Sequence, residues 1–474
     1  MAKVYVYLWF DIEDYITEES HELPITAFRI LSKYNVPVTC KIVAEKVRAL
    51  KARGRDDVIQ AISEHDVGYH LDTHSRHPTM YEYLSNLNVQ AGAKEFLTRE
   101  AEGFSFVKQV FGTAPSCFGH PGPTWAPHTY PALQELGIQL YLDETPILNL
   151  KNEPYWYCGL LNLNGANNNF IVFDFEFERP QAIQALKKKF RGVYKRLQRN
   201  RKSGFVSILF HLHTAINQKF WDEVNFGSGK NPSKEEYVRP PPQPREVTLR
   251  AWSDFEELIR YIKQFKNVEF ITARDALKIC GETGPRILNA AQLKLVSKHY
   301  SSSTDYWRKG SMCLSPAEAF YAIVKALSCQ SAGQSNEVEV KSLLGPMESF
   351  RSKDRGVVQV REFLIAAQNA LEHMDEEKHL PSMIKISACA LSPESFLVTA
   401  SRLLNRTLLG KKMPTTIVIS AANPPNLKYV DDFSFRKACK WKVLPPKFKA
   451  PRILEQIKLQ AWTLKPAIIR SEMA

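Results

Sequence analysis

Between residue 3 and about residue 280 the chain alternates short, nearly all-apolar β-rich runs with stretches of helical periodicity. The runs are Lys3 to Phe10, Pro37 to Val43, Asp66 to Tyr69, Ile138 to Leu142, Phe170 to Phe177, Phe205 to His211 and Val268 to Ile271. A strand that is apolar on both faces must be covered on both faces. Such strands separated by helices therefore imply a parallel sheet, either a barrel or a doubly wound α/β fold. Helices fit at Thr26 to Tyr34, Asp56 to Glu64, Ala91 to Phe111, Pro131 to Leu136, Gln181 to Gln198 and Ser253 to Phe265. The last begins with Ser253 and Glu256 at capping-box spacing.

In parallel sheets of this kind functional groups gather at the C-terminal ends of strands. Three polar clusters obey that rule. Asp11-Ile12-Glu13-Asp14 ends the first strand, His70-Leu71-Asp72-Thr73-His74-Ser75-Arg76-His77 ends the third, and His211-Leu212-His213 ends a late one. Imidazoles four residues apart can share a face of a helix or of a strand, so the spacing suits a metal without defining the local structure. One carboxylate plus two imidazoles leaves coordination positions for water and substrate, as hydrolytic zinc sites require. A second carboxylate can take the water's proton, and a histidine opposite can protonate the leaving group.

Composition sets the outer bounds. A chain of 474 residues with 44% hydrophobic and 24% charged content is ordinary for a soluble globular protein of two or three domains. The apolar start, Val4 to Phe10, is short for a signal peptide and runs into acids, and no run approaches the roughly 20 apolar residues that span a bilayer. A cytoplasmic protein without a membrane span is the expectation. Eight scattered cysteines contain no Cys-x-x-Cys pair, which predicts free thiols rather than a zinc ribbon or disulfide framework. Much of the net charge of +13 lies in Lys187 to Lys202. There Ile183, Leu186, Phe190, Val193, Tyr194 and Leu197 recur at helical steps, so the cations form a solvated helix face, and no nucleic-acid partner is expected.

A break falls at Gly281-Glu282-Thr283-Gly284-Pro285, which divides residues 1–280 from a mainly helical region, 287–474, with 281–286 as linker. Two pieces of that region look duplicated. Leu314-Ser315-Pro316 resembles Leu391-Ser392-Pro393, each a Ser N-cap followed by Pro, and Leu380-Pro381-Ser382-Met383-Ile384 resembles Met413-Pro414-Thr415-Thr416-Ile417. Such short units suggest a binding or packing module.

Together the clusters resemble the polysaccharide deacetylases with NodB homology, metal-dependent carbohydrate esterases of family 4, over roughly residues 3–280. The resemblance implies a deformed (β/α) barrel holding a divalent metal, zinc first among candidates. Asp11 matches that family's base and His70 and His74 its metal-binding histidines. The second acid, also a metal ligand, is better matched by Glu13, with Asp14 the alternative. His77 trails as a neighbour. The third motif, usually Arg followed by prolines and an aromatic, is here Cys117-Phe118-Gly119-His120-Pro121-Gly122-Pro123-Thr124-Trp125, without the Arg. His120 could stand in as the cation beside Asp11, and Trp125 could stack on a sugar. Asp143 occupies the fourth motif's acid position. Ile208-Leu209-Phe210-His211 fits the fifth, making His211 the acid and His213 the runner-up; His120, Trp125, Asp143 and His213 are thus candidate substrate-binding residues. The implied reaction removes acetyl from an N-acetylated sugar or oligosaccharide, Asp11 activating the water and His211 protonating the departing amine. Alternatives are a noncatalytic glycan-binding descendant, favoured by the missing Arg, and a hydrolase of another C–N amide bond. The C-terminal repeats loosely resemble pseudomurein-binding repeats, which implies a glycan-binding module.

Overall fold

The computed structural model describes residues 2–143, 146–164, 169–175, 179, 181–281, 286–331, 337–352 and 356–470. Strand β1 (Val4–Ile12) is buried along its whole length, and the sheet is built around it. Parallel β8 (Gly204–Phe210) pairs with it from Val4 to Phe10. Its other edge takes β9 (Val268–Ile271) beside Val4 to Tyr7, then β2 (Thr39–Ile42) beside Trp9 to Ile12. Parallel β3 (Asp66–Tyr69) flanks β2, and β7 (Phe170–Val172) flanks β8. Single bridges at Phe118 link β3 to β4 (Leu140–Asp143), which runs parallel to β6 (Leu160–Asn164); β5 (Tyr155–Tyr157) is antiparallel to β6. Among the described residues no ladder joins the two ends of this run. The observed architecture is a mixed α/β fold on a parallel-strand sheet.

Alternation along β1 explains why both faces are apolar. Val4, Val6, Leu8 and Phe10 enter the main core, whereas Tyr5, Tyr7 and Trp9 pack with Leu140, Leu142 and Leu161. Helices α1 (Leu23–Lys33), α2 (Ala44–Ala52), α3 (Asp56–Ser63), α4 (Met80–Leu84), α5 (Val89–Phe111) and α6 (Thr129–Glu135) follow the early strands. Later come α7 (Ala182–Arg199), α8 (Trp221–Phe226), α9 (Arg245–Ile262) and α10 (Ala273–Cys280). Helix α9 starts right after Pro244, so Ser253 and Glu256 lie inside it and form no capping box. Helix α7 buries Ile183, Leu186, Phe190, Val193 and Leu197 and turns its exposed cations outward. The tail of the expected strand to Phe177 lies outside the described residues, as do 282–285 of the expected linker. All eight cysteines are free, and no helix among the described residues is long and apolar enough to cross a membrane.

The C-terminal region contains two units of one design. The first is β10 (Arg286–Leu288), α11 (Ala290–Tyr300), hairpin β11 (Trp307–Lys309) and β12 (Met312–Leu314), α12 (Pro316–Ser331) and β13 (Val338–Val340). The second is β14 (Val357–Gln359), α13 (Val360–Glu377), hairpin β15 (Ile384–Ile386) and β16 (Cys389–Leu391), α14 (Pro393–Leu408) and β17 (Thr416–Val418). In each, the first and last strands pair antiparallel. The Ser-Pro pieces open the equivalent helices α12 and α14. The other suggested pair does not match: Ile384 begins an inner hairpin strand, whereas Ile417 lies in a closing strand.

After the second unit the chain returns to the first region through α15 (Asp432–Ala438), α16 (Pro451–Gln460) and β18 (Lys465–Pro466). Phe435, Ala438, Leu444, Ile453, Ile457 and Leu464 join the core built on β1, and β18 pairs with β5. The last segment of the chain thus packs on the core of residues 1–280, across the expected division at 287.

Candidate metal and acid–base site

Glu13 is the hub of the site. It continues the odd-numbered side of β1, the side that presents Asp11, whereas Asp14 falls on the other side. The oxygens of Asp14 accept the backbone N–H groups of Ile16 (3.0 Å) and Thr17 (2.9 Å) and the Asn217 amide (3.2 Å), so Asp14 caps a turn and stands apart from the cluster. Glu13 Oε2 lies 3.2 Å from His70 Nε2 and 2.9 Å from His74 Nε2. Its Oε1 lies 3.1 Å from His213 Nε2 and accepts the Trp221 indole N–H at 3.1 Å.

The two histidines ride on a loop, not on a helix or strand. His70 N bonds the Ile42 carbonyl at the end of β2, and Leu71 and His74 both adopt left-handed φ, 69° and 60°, which non-glycine residues rarely do. The peptides of Leu71 and Asp72 accept from Ala44 and Glu45 at the start of α2, and Asp72 N donates to Glu100. His77 is held elsewhere, between Glu82 (2.6 Å) and the Phe226 carbonyl (3.2 Å).

Hydrogen-bond logic tests whether this donor set suits a metal. His70 Nδ1 is 2.8 Å from the Gly119 carbonyl, which can only accept, so Nδ1 carries the proton. His74 Nδ1 is 2.6 Å from Ser75 Oγ, whose own proton goes to Asp222 at 3.0 Å, so the same holds there. Were both rings neutral, each would aim an Nε2 lone pair at an ionised carboxylate, a repulsive arrangement unless a proton or a cation lies between. With protons alone, burial disfavours the charges, yet Glu13 lies well below the ordinary carboxylate range and His74 above the ordinary histidine range. Glu13, His70 and His74 form one buried triad suited to a divalent cation; Asp11, Glu13 and His211 form an overlapping one. Anchoring of each distal nitrogen is the support that metal-bound histidines normally receive.

Asp11 lies on the other side of the cluster. Its register partner across the ladder is Lys41, fully buried, whose Nζ sits 3.1 Å from Asp11 Oδ1 and 3.5 Å from Asp143 Oδ2. Burial alone would raise the Asp11 pKa, but the Lys41 charge, with His70 and His211, holds it far below its usual range. The lysine itself stays charged, because Asp11 and Asp143 outweigh its own burial. Lys41 therefore supplies the positive charge expected of His120. Burial pushes His120 down to about 4, and the ring lies neutral 3.2 Å from Asp143, with Nε2 buried and without a hydrogen-bond partner among the described residues.

On the other side of Asp11, His211 Nε2 approaches Oδ2 at 3.2 Å while Nδ1 meets Asp174 at 2.5 Å. Burial opposes protonation, yet the two carboxylates keep His211 an imidazolium, raised well above the ordinary histidine pKa. Its side chain is 13% exposed, whereas His70, His74 and His213 are within 2% of complete burial. His213 contacts Glu13 directly and its Nδ1 has no partner among the described residues, so it borders the Glu13 cluster rather than an outer sugar position. Trp125 does not line the site: it is wholly buried, and its N–H donates to Tyr130 OH at 2.9 Å.

Lys41, Asp174, Ser75, Asp222 and Trp221 were not anticipated from the sequence. Asp174 follows the C-terminal end of β7, where the strand-end rule could have found it. A lone lysine within an apolar strand has no motif to mark it.

No family model matches the chain, and no curated protein does. Solved structures similar to it include a probable polysaccharide deacetylase from Pseudomonas aeruginosa, 13% identical, covering 58% of this chain and 90% of that one at a TM-score of 0.38. An allantoinase, Puue, is 13% identical, with 60% and 93% covered and a TM-score of 0.40. A family 4 acetyl xylan esterase from Clostridium thermocellum, in complex with a cobalt ion, is 15% identical, with 59% and 93% covered and a TM-score of 0.32. Superpositions of this quality leave the functional reading to the residues of the site.

Proposed function

We propose that this chain is a metal-dependent hydrolase that removes acetyl groups from an N-acetylated carbohydrate. The observation that carries the reading is Asp11 standing between a buried lysine and a carboxylate-backed imidazolium, beside a buried carboxylate faced by the Nε2 atoms of two histidines. Glu13, His70 and His74 would hold the cation, and their imidazole and carboxylate donors suit zinc. A divalent cation there polarises an acyl carbonyl and acidifies water. Asp11, ionised because of Lys41, accepts the proton of the attacking water. His211, protonated because of Asp174, donates to the departing amine nitrogen. The carbohydrate assignment is supported by the order Asp-x-Glu, His-x-x-x-His and Leu-Phe-His along the chain, which resembles the polysaccharide deacetylase pattern. The noncatalytic alternative drew on the absent third-motif Arg, and Lys41 occupies that electrostatic role.

Acetate release from N-acetylchitotetraose tests the proposal. Chelation should abolish it and zinc restore it. His74→Ala should lower it by more than the roughly 100-fold that loss of a ligand's hydrogen-bond partner can cost. Release that persists after chelation, or in His74→Ala at full rate, would sink the assignment.

A further inference from the structure

The wall of the site beside His74 comes from the far end of the chain. Trp441, in the loop after α15, packs edge-on against His74, with ring centroids 6.2 Å apart and planes at 78°. It also closes on the loop between Gly119 and Trp125: a Cβ at Gly122 would lie 2.5 Å from its Cε2 and 2.8 Å from its Nε1. The segment is firmly seated. Ser228 N donates to the Lys442 carbonyl (2.8 Å), Gly229 N to the Val443 carbonyl (3.0 Å), and Lys442 pairs with Glu223 at 2.7 Å. Val443 is fully buried with Tyr15, Val43, Trp221 and Phe226.

Trp441 itself stays partly exposed, and among the described residues its indole N–H has no hydrogen-bond partner. Phe220, also partly exposed, packs edge-on against His211 (5.2 Å) and His213 (5.0 Å). The imidazoles that carry the chemistry are thus flanked by two aromatic rings, one from α8's lead-in and one from the C-terminal segment. Aromatic faces accommodate the C–H faces of pyranose rings, and an unpaired indole N–H offers a donor to a hydroxyl or an acetamido carbonyl.

We propose that Trp441 is the sugar platform of this site, so that the C-terminal segment completes the substrate groove. The inference rests on the carbohydrate reading above. It replaces Trp125, the aromatic expected in that role, by a residue more than three hundred positions away in sequence.

Calorimetric binding of N-acetylchitotetraose to the zinc-loaded Asp11→Asn chain, which blocks turnover, provides the test. Trp441→Ala and Trp441→Leu should weaken binding by about tenfold or more, whereas Trp441→Phe should stay within about threefold. Leu keeps a branched apolar side chain at the position and Ala does not, so comparing the two separates loss of the ring from loss of packing. Zinc content should be unchanged in all three. With Asp11 intact, the same substitutions should raise KM and leave kcat within about twofold, the signature of lost uniform binding. Undiminished binding by Trp441→Leu, or no binding by the parent chain, overturns the platform. Binding that depends on Trp441 without any acetate release from the unsubstituted chain supports the platform and removes the deacetylase reading instead.

Discussion

A lysine ammonium taken out of water is costly unless its charge is met, and Lys41 meets Asp11 and Asp143 while its Nζ also lies 4.1 Å over the Trp9 ring. Removing it should therefore act on Asp11 before anything else. Lys41→Met leaves the base buried without its nearest cation, so its pKa rises. In the proposed reaction Asp11 works deprotonated, so the acid limb of the pH–rate profile should move to higher pH by roughly one unit or more. Lys41→Arg should restore much of the shift, and an unmoved limb in Lys41→Met would exclude the pairing as the cause of Asp11's ionisation. At this scale Asp11, His70, His74 and His211 were legible because each sits in a short pattern at a strand end. Lys41 and Asp222 were not, because their roles exist only through a neighbour on another element. Trp125 was misread for the converse reason: an aromatic beside prolines reads as a groove residue until its burial is known.

At the scale of elements, the histidine loop depends on what grips it. Helix α5 places Glu100 beneath the loop, where it accepts from Tyr69 OH (2.7 Å) and from Asp72 N (2.8 Å). Burial raises this carboxyl from its ordinary 4.5 to about 7, despite those hydrogen bonds. A carboxyl whose folded pKa is raised contributes stability that is fully present below the unfolded pKa and lost as pH climbs through the folded one. Unfolding free energy should therefore fall by roughly 3 kcal/mol between pH 4.5 and 7 on account of Glu100. Glu100→Gln, which keeps an acceptor and cannot ionise, should flatten denaturant-measured stability across that window. An unchanged slope would show that Glu100 titrates normally. The strands themselves were largely visible from their apolar runs, and β3 and β9 match the expected bounds. The start of α9 was not, because Ser253 and Glu256 imitate a cap inside a helix that begins after Pro244.

On the scale of the whole molecule, the chain's last segment ties two cores together. Trp462 enters the core of the repeated units, and Leu464, two residues later, enters the core built on β1. The wholly buried Ile457 should therefore matter to the entire protein. Ile457→Ala should cost about 2–5 kcal/mol and leave a single cooperative thermal transition. A separate, unshifted transition from the repeated units would overturn the coupling. The first repeated unit begins at Arg286, shortly after the composition break near Gly281. It could not show that residues after about 430 return, since amphipathic helices advertise an apolar face without saying which surface covers it.

The sequence by itself determined the parallel α/β class, the strand ends that carry the polar clusters and the identities of most groups that meet there, because apolar period and short-range spacing are local properties. Only the tertiary structure decided that Glu13 rather than Asp14 faces the histidines, that Lys41 rather than His120 carries the charge beside Asp11, and that Trp441 rather than Trp125 stands at the site. Each of those choices depends on burial and on distances between residues far apart in the chain. Electrostatics and desolvation act through space, and position along the chain does not encode them.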